Sequence, residues 1–399
     1  MSGVLNLERT YQFLLIALAF LIPLTVFGAN LIVVLICLIW IISGNYRTKI
    51  QMIMSNKLMI ASVLFFSLHV IGLLWTEDLN WGFHIVHKMW YFIGLFPILF
   101  TVVKKEYIDY YLNAFLLSIL ITEIFSFLIW FQVIEPFGNA SLYNPTPFMT
   151  HISFNPILAF AIYIVSHKVL FDESTIYTKL FLSFFTLAMS INMFITGGRA
   201  GQVMFFAVLA ILIFQFFSKQ KFKAIFVVIL FTTSVFFGAY NTSNIFHKRV
   251  NDVVSNIQVY ESNKKTSVGI RIAYALNSWE VILKNPIIGV GTGDFPKEYK
   301  LVNQKNTPQL PNSTNPHNMY ILILMQLGLI GLISFLMIFY YQIKLSFAST
   351  NKLIKDIGVS LPILFLIIMF SDSYLLGHFT SLMFVFFSSF LYKDFEKYN

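Results

Sequence analysis

The chain has 399 residues, 57% of them hydrophobic and 11% charged, with a mean hydropathy of +0.75. A soluble domain carries roughly 25% charged residues, so this composition excludes a soluble globular protein and points to a polytopic membrane protein. The net charge of +9 would suit a nucleic-acid partner, but the placement of the charges argues against one.

A spanning helix needs about 20 mostly apolar residues. About twelve such runs follow one another along the chain: 11–27, 29–43, 58–75, 84–103, 108–133, 152–170, 178–196, 201–217, 222–239, 318–341, 357–371 and 374–391. The first has no small-residue cleavage site and leads at once into the second, so it is expected to be an anchor rather than a removable signal peptide. Cys37 is the single cysteine and lies in an apolar run. No disulfide framework is possible.

Lysine and arginine set the orientation. Arg9 precedes the first run. Arg47, Lys49 and Lys57 lie between runs two and three, and Lys104 and Lys105 follow run four. Lys168 and Lys179 flank the next basic link, and Lys219, Lys221 and Lys223 fill the one after it. Lys344, Lys352 and Lys355 come after run ten, and Lys393 and Lys397 lie in the tail. These alternate connections are expected to be cytoplasmic, with both termini inside. The short connections 76–83 and 134–151 carry no Lys or Arg and are expected outside. The basic excess is therefore a topology signal.

Arg199 breaks the pattern. It sits in "ITGGRAG", residues 195–201, in a short outer turn. Ionisable groups at membrane depth tend to mark function. Gly197, Gly198 and Gly201 allow a tight turn and close approach of a ligand. The start of the next helix offers free N–H groups to an anion.

The one long connection, about 240–317, is also expected outside, because long segments translocate largely regardless of charge. Within it "VGIRIAYALNSWEVILKNP" repeats Ile272, Ala275, Leu276, Trp279, Ile282 and Leu283 at helical spacing. Ser267 or Gly269 would open this amphipathic helix and Pro286 would stop it. It is expected to lie on the outer surface or under a cap. Arg271 falls in its first turn, an unfavourable place for a cation and hence a candidate for another role. "IIGVGTGDFP", 287–296, follows a helix rather than a strand, so it is expected to be a flexible turn and not a dinucleotide site.

The loop ends at "NPHN", where His317 and Asn318 meet run ten. Between Pro316 and a rigid helix, an imidazole is well mounted as a base near neutral pH. Other polar groups share the expected outer end: His84, His87 and Lys88 at the start of run four, and Asp372 and His378 in "SDSYLLGH". Glu77 and Asp78 form an acidic pair in a loop, a usual solvated arrangement and a weak candidate for a metal site. Glu123 lies inside run five with no visible partner. Two arginines and a lysine suit a pyrophosphate, which Arg grips bidentately. A histidine can then deprotonate or orient an attacking hydroxyl. Positioning and electrostatic stabilisation would carry the rate.

The combination of "TGGRAG", "GIRIAYALNSWEVILKNPIIGVGTGDF" and "HNMYILILMQLGLIGL" resembles the bacterial O-antigen ligase and polymerase superfamily. The layout matches over essentially the whole chain, as one transmembrane domain, 1–399, with the long loop 240–317 between helices nine and ten. The motifs match over roughly 195–201 and 267–332. The resemblance implies a GT-C-type, all-α glycosyltransferase of the bacterial inner membrane with a periplasmic active site. It implies transfer of a glycan from undecaprenyl pyrophosphate to a sugar hydroxyl on the lipid A core, with inversion, without ATP, cofactor or metal. The essential arginines of the family fall on Arg199 and Arg271, as pyrophosphate contacts, and its essential histidine on His317. Lys88 stands where an arginine would be expected. Asn318, Gly198, Gly269, Asp372 and His378 are expected to support the site. A repeat-unit polymerase differs only in the acceptor. A protein O-oligosaccharyltransferase tends to carry extra C-terminal sequence, whereas this chain runs about eight residues past its last apolar run. A lipid-linked glycan transporter would place its charges nearer the bilayer midplane and show repeats.

Overall fold

The computed structural model describes residues 2–396, with side chains from Leu7 onward. Lys397, counted above among the basic tail residues, lies outside them. Regular structure among the described residues is helical, with a single isolated bridge between Ser141 and Asn144. Every apolar run read from the sequence contains a helix. Among the described residues eight helices are long and apolar enough to cross a membrane, or nine if Val26–Ile42 and Tyr46–Met54 form one bent span. This is a polytopic all-α membrane protein. The runs that miss the criterion do so for visible reasons. Val26–Ile42 and Lys352–Ile368 have 17 residues each and His378–Leu391 has 14, below the about 20 that span a bilayer. Ser2–Leu21 opens with the polar residues Asn6, Glu8 and Arg9.

The chain divides into two compact units. The first holds residues up to Ile41, Val103–Asn251 and Ser349–Ile368. Its centre is His151–Phe171, which packs against Ile176–Ile195 and Arg199–Phe216 and is buried along most of its length. Two glycines explain the close approach. A Cβ at Gly198 would lie 2.5 Å from Asn155 Nδ2, and one at Gly201 would lie 2.2 Å from Asn155 Cβ. Only glycine lets the "TGGRAG" turn sit this near. At the other end of the same helix, Tyr163 donates to Gln215, and buried His167 pairs with Asp356, which also meets Lys352.

The second unit holds Ile42–Val102, Asp252–Ala348 and from Met369 onward. Lys57–Ile71, capped by the Asn56 side chain, packs on Met319–Ala348, with Phe65 and Phe335 ring centroids 5.3 Å apart. The long loop is itself helical: Asn244–Gln258 leads in, and Ser267–Lys284 and Phe295–Asn306 pack together. Thr266 opens Ser267–Lys284, its hydroxyl accepting from Gly269 N–H at 3.0 Å, rather than Ser267 or Gly269. Arg271 is thus the fifth helical residue, just beyond the first turn, and the unfavourable dipole contact expected there is weaker. The buried residues are Gly269, Ala273, Tyr274, Asn277, Ser278, Val281 and, from the expected apolar stripe, Ile282. Leu276, Trp279 and Leu283 of the apolar stripe are more than half exposed. Polar Asn277 wins the interior because it donates to Thr307 Oγ1 at 2.7 Å and also reaches Asn303. The exposed stripe has the character of a face that rests in a lipid interface.

The stretch 287–296 is not the flexible turn expected from its glycines. Met319–Ala348 is broken at Gly328, with φ 60° and ψ −157°. There its backbone pairs with the loop. Val290 N–H donates to Met325 O and Gly291 N–H to Gln326 O, while Leu329 N–H donates to Pro286 O and Ile330 N–H to Ile287 O, all between 2.8 and 3.2 Å. Gln326 Nε2 donates to Thr292 O, and Thr292 Oγ1 to His69 O, at 2.7 Å each. Asp294 accepts from Glu77 N–H and Asp78 N–H. The glycines are there because two backbones touch. A Cβ on Gly328 would lie 2.3 Å from Ile287 C, and one on Gly289 would lie 2.5 Å from Gln326 C.

Gly328→Ala should therefore cost about 1–3 kcal/mol for its backbone region alone, with the clash in addition. The expected result is a clearly lower melting temperature of the purified chain in detergent. An unchanged melting temperature would show that this pairing does not hold the loop.

Candidate active site

His317 and Asp372 form the centre of the second unit's polar cluster. Asn315 begins the construction. Its Oδ1 accepts from His317 N–H at 2.9 Å and from Ser373 Oγ at 2.8 Å, and its Nδ2 donates to Asp372 Oδ1 at 3.3 Å. Pro316 follows, and His317 then takes the left-handed conformation, φ 53°. A non-glycine residue there carries strain that its neighbours must hold, and Asn315 holds it. Asn318 caps the next helix, its Oδ1 accepting from Tyr320 N–H and Ile321 N–H at 3.0 and 3.1 Å. Asn318 thus fixes the helix start beside the histidine.

The imidazole is fixed from two sides. Tyr274 stacks on it, centroids 6.0 Å apart and planes 14° from parallel. His317 Nδ1 lies 3.2 Å from Asp372 Oδ1. A carboxylate there keeps the proton on Nδ1, so Nε2 presents its lone pair. Burial alone would raise the Asp372 carboxyl. The hydrogen bond and charge of His317, the N–H of Ser373 and the charge of Arg271 outweigh it and hold Asp372 below the usual carboxylate range. Arg271 lies one helical turn before Tyr274 and acts electrostatically on both Asp372 and Tyr374. Arg271, His317 and Asp372 therefore come together.

Lys88 and His378 are not joined to that cluster. Lys88 ends the helix Leu79–Lys88, and its charge acts on His84. Among the described residues no hydrogen bond or ion pair links it to His317 or Asp372. His378 Nδ1 pairs instead with the Tyr91 hydroxyl at 2.6 Å. Gly269 meets the capping hydroxyl of Thr266 and the carbonyl of Lys264, positions that leave no room for a Cβ. Glu77 pairs with Lys297, and Asp78 caps Leu79–Lys88 through Trp81 N–H. Among the described residues no group of three or more His, Cys, Asp or Glu is placed to hold a metal ion.

Arg199 belongs to the first unit, as the first residue of Arg199–Phe216 with Gly198 before it. The turn is tied down through Thr196, which exchanges hydrogen bonds with Asn155, and through Gly197 N–H, which donates to Asn144 Oδ1 at 2.9 Å. The guanidinium of Arg249 also lies against this turn. A Cβ on Gly197 would sit 3.0 Å from Arg249 Nη2. In the same unit an apolar cavity of about 980 Å³ opens between Ile176–Ile195, Arg199–Phe216 and Lys221–Thr242, lined by residues such as Leu187, Phe194, Phe205, Leu209 and Phe231.

The sequence reading missed Asn315, Tyr274, Ser373 and Arg249. Asn-Pro before the histidine was a usable signal, since Asn in that position readily bonds the backbone two residues on. Tyr274 was signalled by its spacing of three from Arg271. Arg249 carried no signal, being one cation among His247, Lys248 and Arg249.

The second unit thus holds a carboxylate-oriented histidine near Arg271, and the first unit carries Arg199 at a helix start. Residues 184–336 match the family described as O-antigen ligase. That match spans less than half of the chain, includes Arg199, Arg271 and His317, and supports a relation of this segment to the O-antigen ligase and polymerase superfamily. Its members are membrane glycosyltransferase-like enzymes of the O-antigen pathway. No curated protein matches the chain.

The Asp372 pairing has a pH signature. A depressed carboxylate contributes stability that is full above its unfolded value and is lost as pH falls through its folded value. The stability difference between the wild type and Asp372→Asn should be steady from pH 7 to 5 and shrink below about pH 4. Melting temperatures across that range test it. A difference that persists into acid would mean that the carboxylate is not held by its cationic partners.

Proposed function

We propose that the protein is an O-antigen ligase-type glycosyltransferase that moves a glycan from undecaprenyl pyrophosphate to a sugar hydroxyl of the lipid A core. In this reading it is an inner-membrane enzyme with cytoplasmic termini and a periplasmic active site, needing neither ATP nor metal. The observation that carries the reading is the His317–Asp372 pair, which leaves Nε2 of a mounted imidazole as acceptor for a proton. The acceptor hydroxyl gives its proton to Nε2 as its oxygen bonds to the anomeric carbon. The bond from that carbon to the pyrophosphate oxygen breaks, and the electron pair leaves with undecaprenyl pyrophosphate. Direct displacement inverts the anomeric centre. Arginine charge at the departing pyrophosphate replaces the need for a covalent intermediate. Arg199 and Arg271 take this role, as the resemblance implies. The apolar cavity of the first unit supports a donor with a long hydrocarbon tail.

Deletion of the gene in its native host, followed by gel analysis of surface polysaccharide, tests the reading. Bare lipid A core, with long glycan left on the isoprenoid, is the expected result. Core carrying a single repeat unit would make the protein the polymerase of the same superfamily.

Two substitutions test the residues. Arg199→Lys should lose most activity while inserting normally, because an ammonium does not reproduce the planar fork; full activity would remove its pyrophosphate role. His317→Ala should keep donor binding and lower turnover by about 10²–10⁴-fold. Normal turnover, or loss of donor binding instead, would contradict its assignment as base.

A further inference from the structure

We propose that Arg249 is a further phosphate-binding residue of the donor site, closing over Gly197 onto the anion held at the start of Arg199–Phe216. The proposal rests on the donor assigned above and names one more residue of that site. Its geometry is specific. The guanidinium lies against a position of the turn that has no side chain: a Cβ on Gly197 would come within 3.0 Å of Nη2 and 3.6 Å of Nε, and within 2.9 Å of Asn144 Oδ1. Asn144 Oδ1 is already engaged with Gly197 N–H, so both neighbours of the turn are drawn tightly over it. Its helix Asn244–Gln258 is anchored nearby by Phe246, whose ring packs on Phe194 at 5.1 Å, and by Ser243, whose hydroxyl donates to Phe194 O. Arg249 is thus carried to the turn by a packed element and not by a loose end.

The electrostatics ask for an anion. Among the described residues no Asp or Glu lies within ion-pair distance of Arg249. Its charge also acts on His151, and His151 O lies 3.1 Å from where a Gly198 Cβ would be. A cation beside the positive end of a helix is unfavourable by itself, and beside the first N–H groups of Arg199–Phe216 it stays so until an anion is shared between them. The planar guanidinium suits two phosphate oxygens at once. Neither a salt bridge nor helix capping accounts for its place, and a phosphate does.

The test uses the full chain in lipid nanodiscs with inorganic pyrophosphate as the probe. Calorimetric titration should give weaker pyrophosphate binding for Arg249→Gln by about 10–100-fold, the scale of a charged hydrogen bond, with partial recovery in Arg249→Lys. Gly197→Ala should weaken binding too, by pushing the guanidinium off the turn. Lys248→Gln, one residue away and exposed, should bind as the wild type does. In turnover assays Arg249→Gln should raise the KM for the donor and leave that for the acceptor. Wild-type binding of pyrophosphate by Arg249→Gln, or no binding by the wild type, overturns the proposal. If pyrophosphate binding depends on Arg249 but no isoprenoid-linked glycan is transferred, the anion site stands and the proposed function falls.

Discussion

The second unit depends on one exchange of backbone hydrogen bonds. At Gly328 the helix Met319–Ala348 stops making its own ladder, and the loop 286–291 takes over the freed groups. Gly328 is nine residues into that helix, about 14 Å along it. Backbone polar groups at such depth must be satisfied within the protein, and irregular backbone is tolerated only where protein covers it. The exchange meets both demands at once. It also has a geometric consequence. The helix carrying Arg271 ends at Lys284, directly before the exchange, and the helix carrying Glu298 begins at Phe295, directly after it. The helix broken at Gly328 is the one whose start holds His317 and Asn318. Arg271 and His317 are therefore fixed to each other through a short, fully bonded path, which is what a site needs if its members are to stay within a few tenths of an ångström of working geometry.

Upon that frame the histidine is set by a carboxylate and not by burial. Asp372 is held ionised by four separate donors and charges although it is largely enclosed. The cost of enclosing it is offset because those partners lie in place before any substrate arrives. Asn315 joins the two halves: it bonds the backbone that puts His317 in the left-handed conformation and the side chains of Asp372 and Ser373. Strain at His317 and order at Asp372 thus have the same source.

Much of this was legible in the sequence and some was not, for separable reasons. The spans were legible because bilayer crossing demands apolar runs of fixed length; the runs that proved short are those trimmed by turns, such as the stretch before His378. Arg199, Arg271 and His317 stood out as charges or mounted polar groups in places where composition made them costly. Asp372 was legible as a polar residue in an apolar hairpin, but its partner was not, because Asp372 and His317 are 55 residues apart. The glycines of 287–296 misled. Glycine frees the chain in isolation, yet here it marks where another backbone approaches, and that partner, Gly328, lies about forty residues on. Arg249 was silent because a basic helix gives no hint of which cation meets a turn.

The charges also divide by chemistry. His317 and Arg271 lie with a carboxylate, so the local field around them is balanced, and Asp372 engages Nδ1 of the imidazole and not Nε2. In the proposed transfer it is Nε2 that takes the proton of the hydroxyl. Arg249 lies against a helix start with no carboxylate of the described residues at ion-pair distance, so the field there is unbalanced and positive. In the proposed reaction that is the state that receives a phosphate. A glycosyl transfer needs both, because the bond being made sheds a proton while the bond being broken sheds a negative charge. If Asp372 stood instead beside Arg249, it would compete with the leaving group for the same guanidinium, and His317 would lose the partner that fixes its tautomer. In the transfer proposed above, pairing the carboxylate with the histidine and withholding it from Arg249 would keep each group available for its own charge.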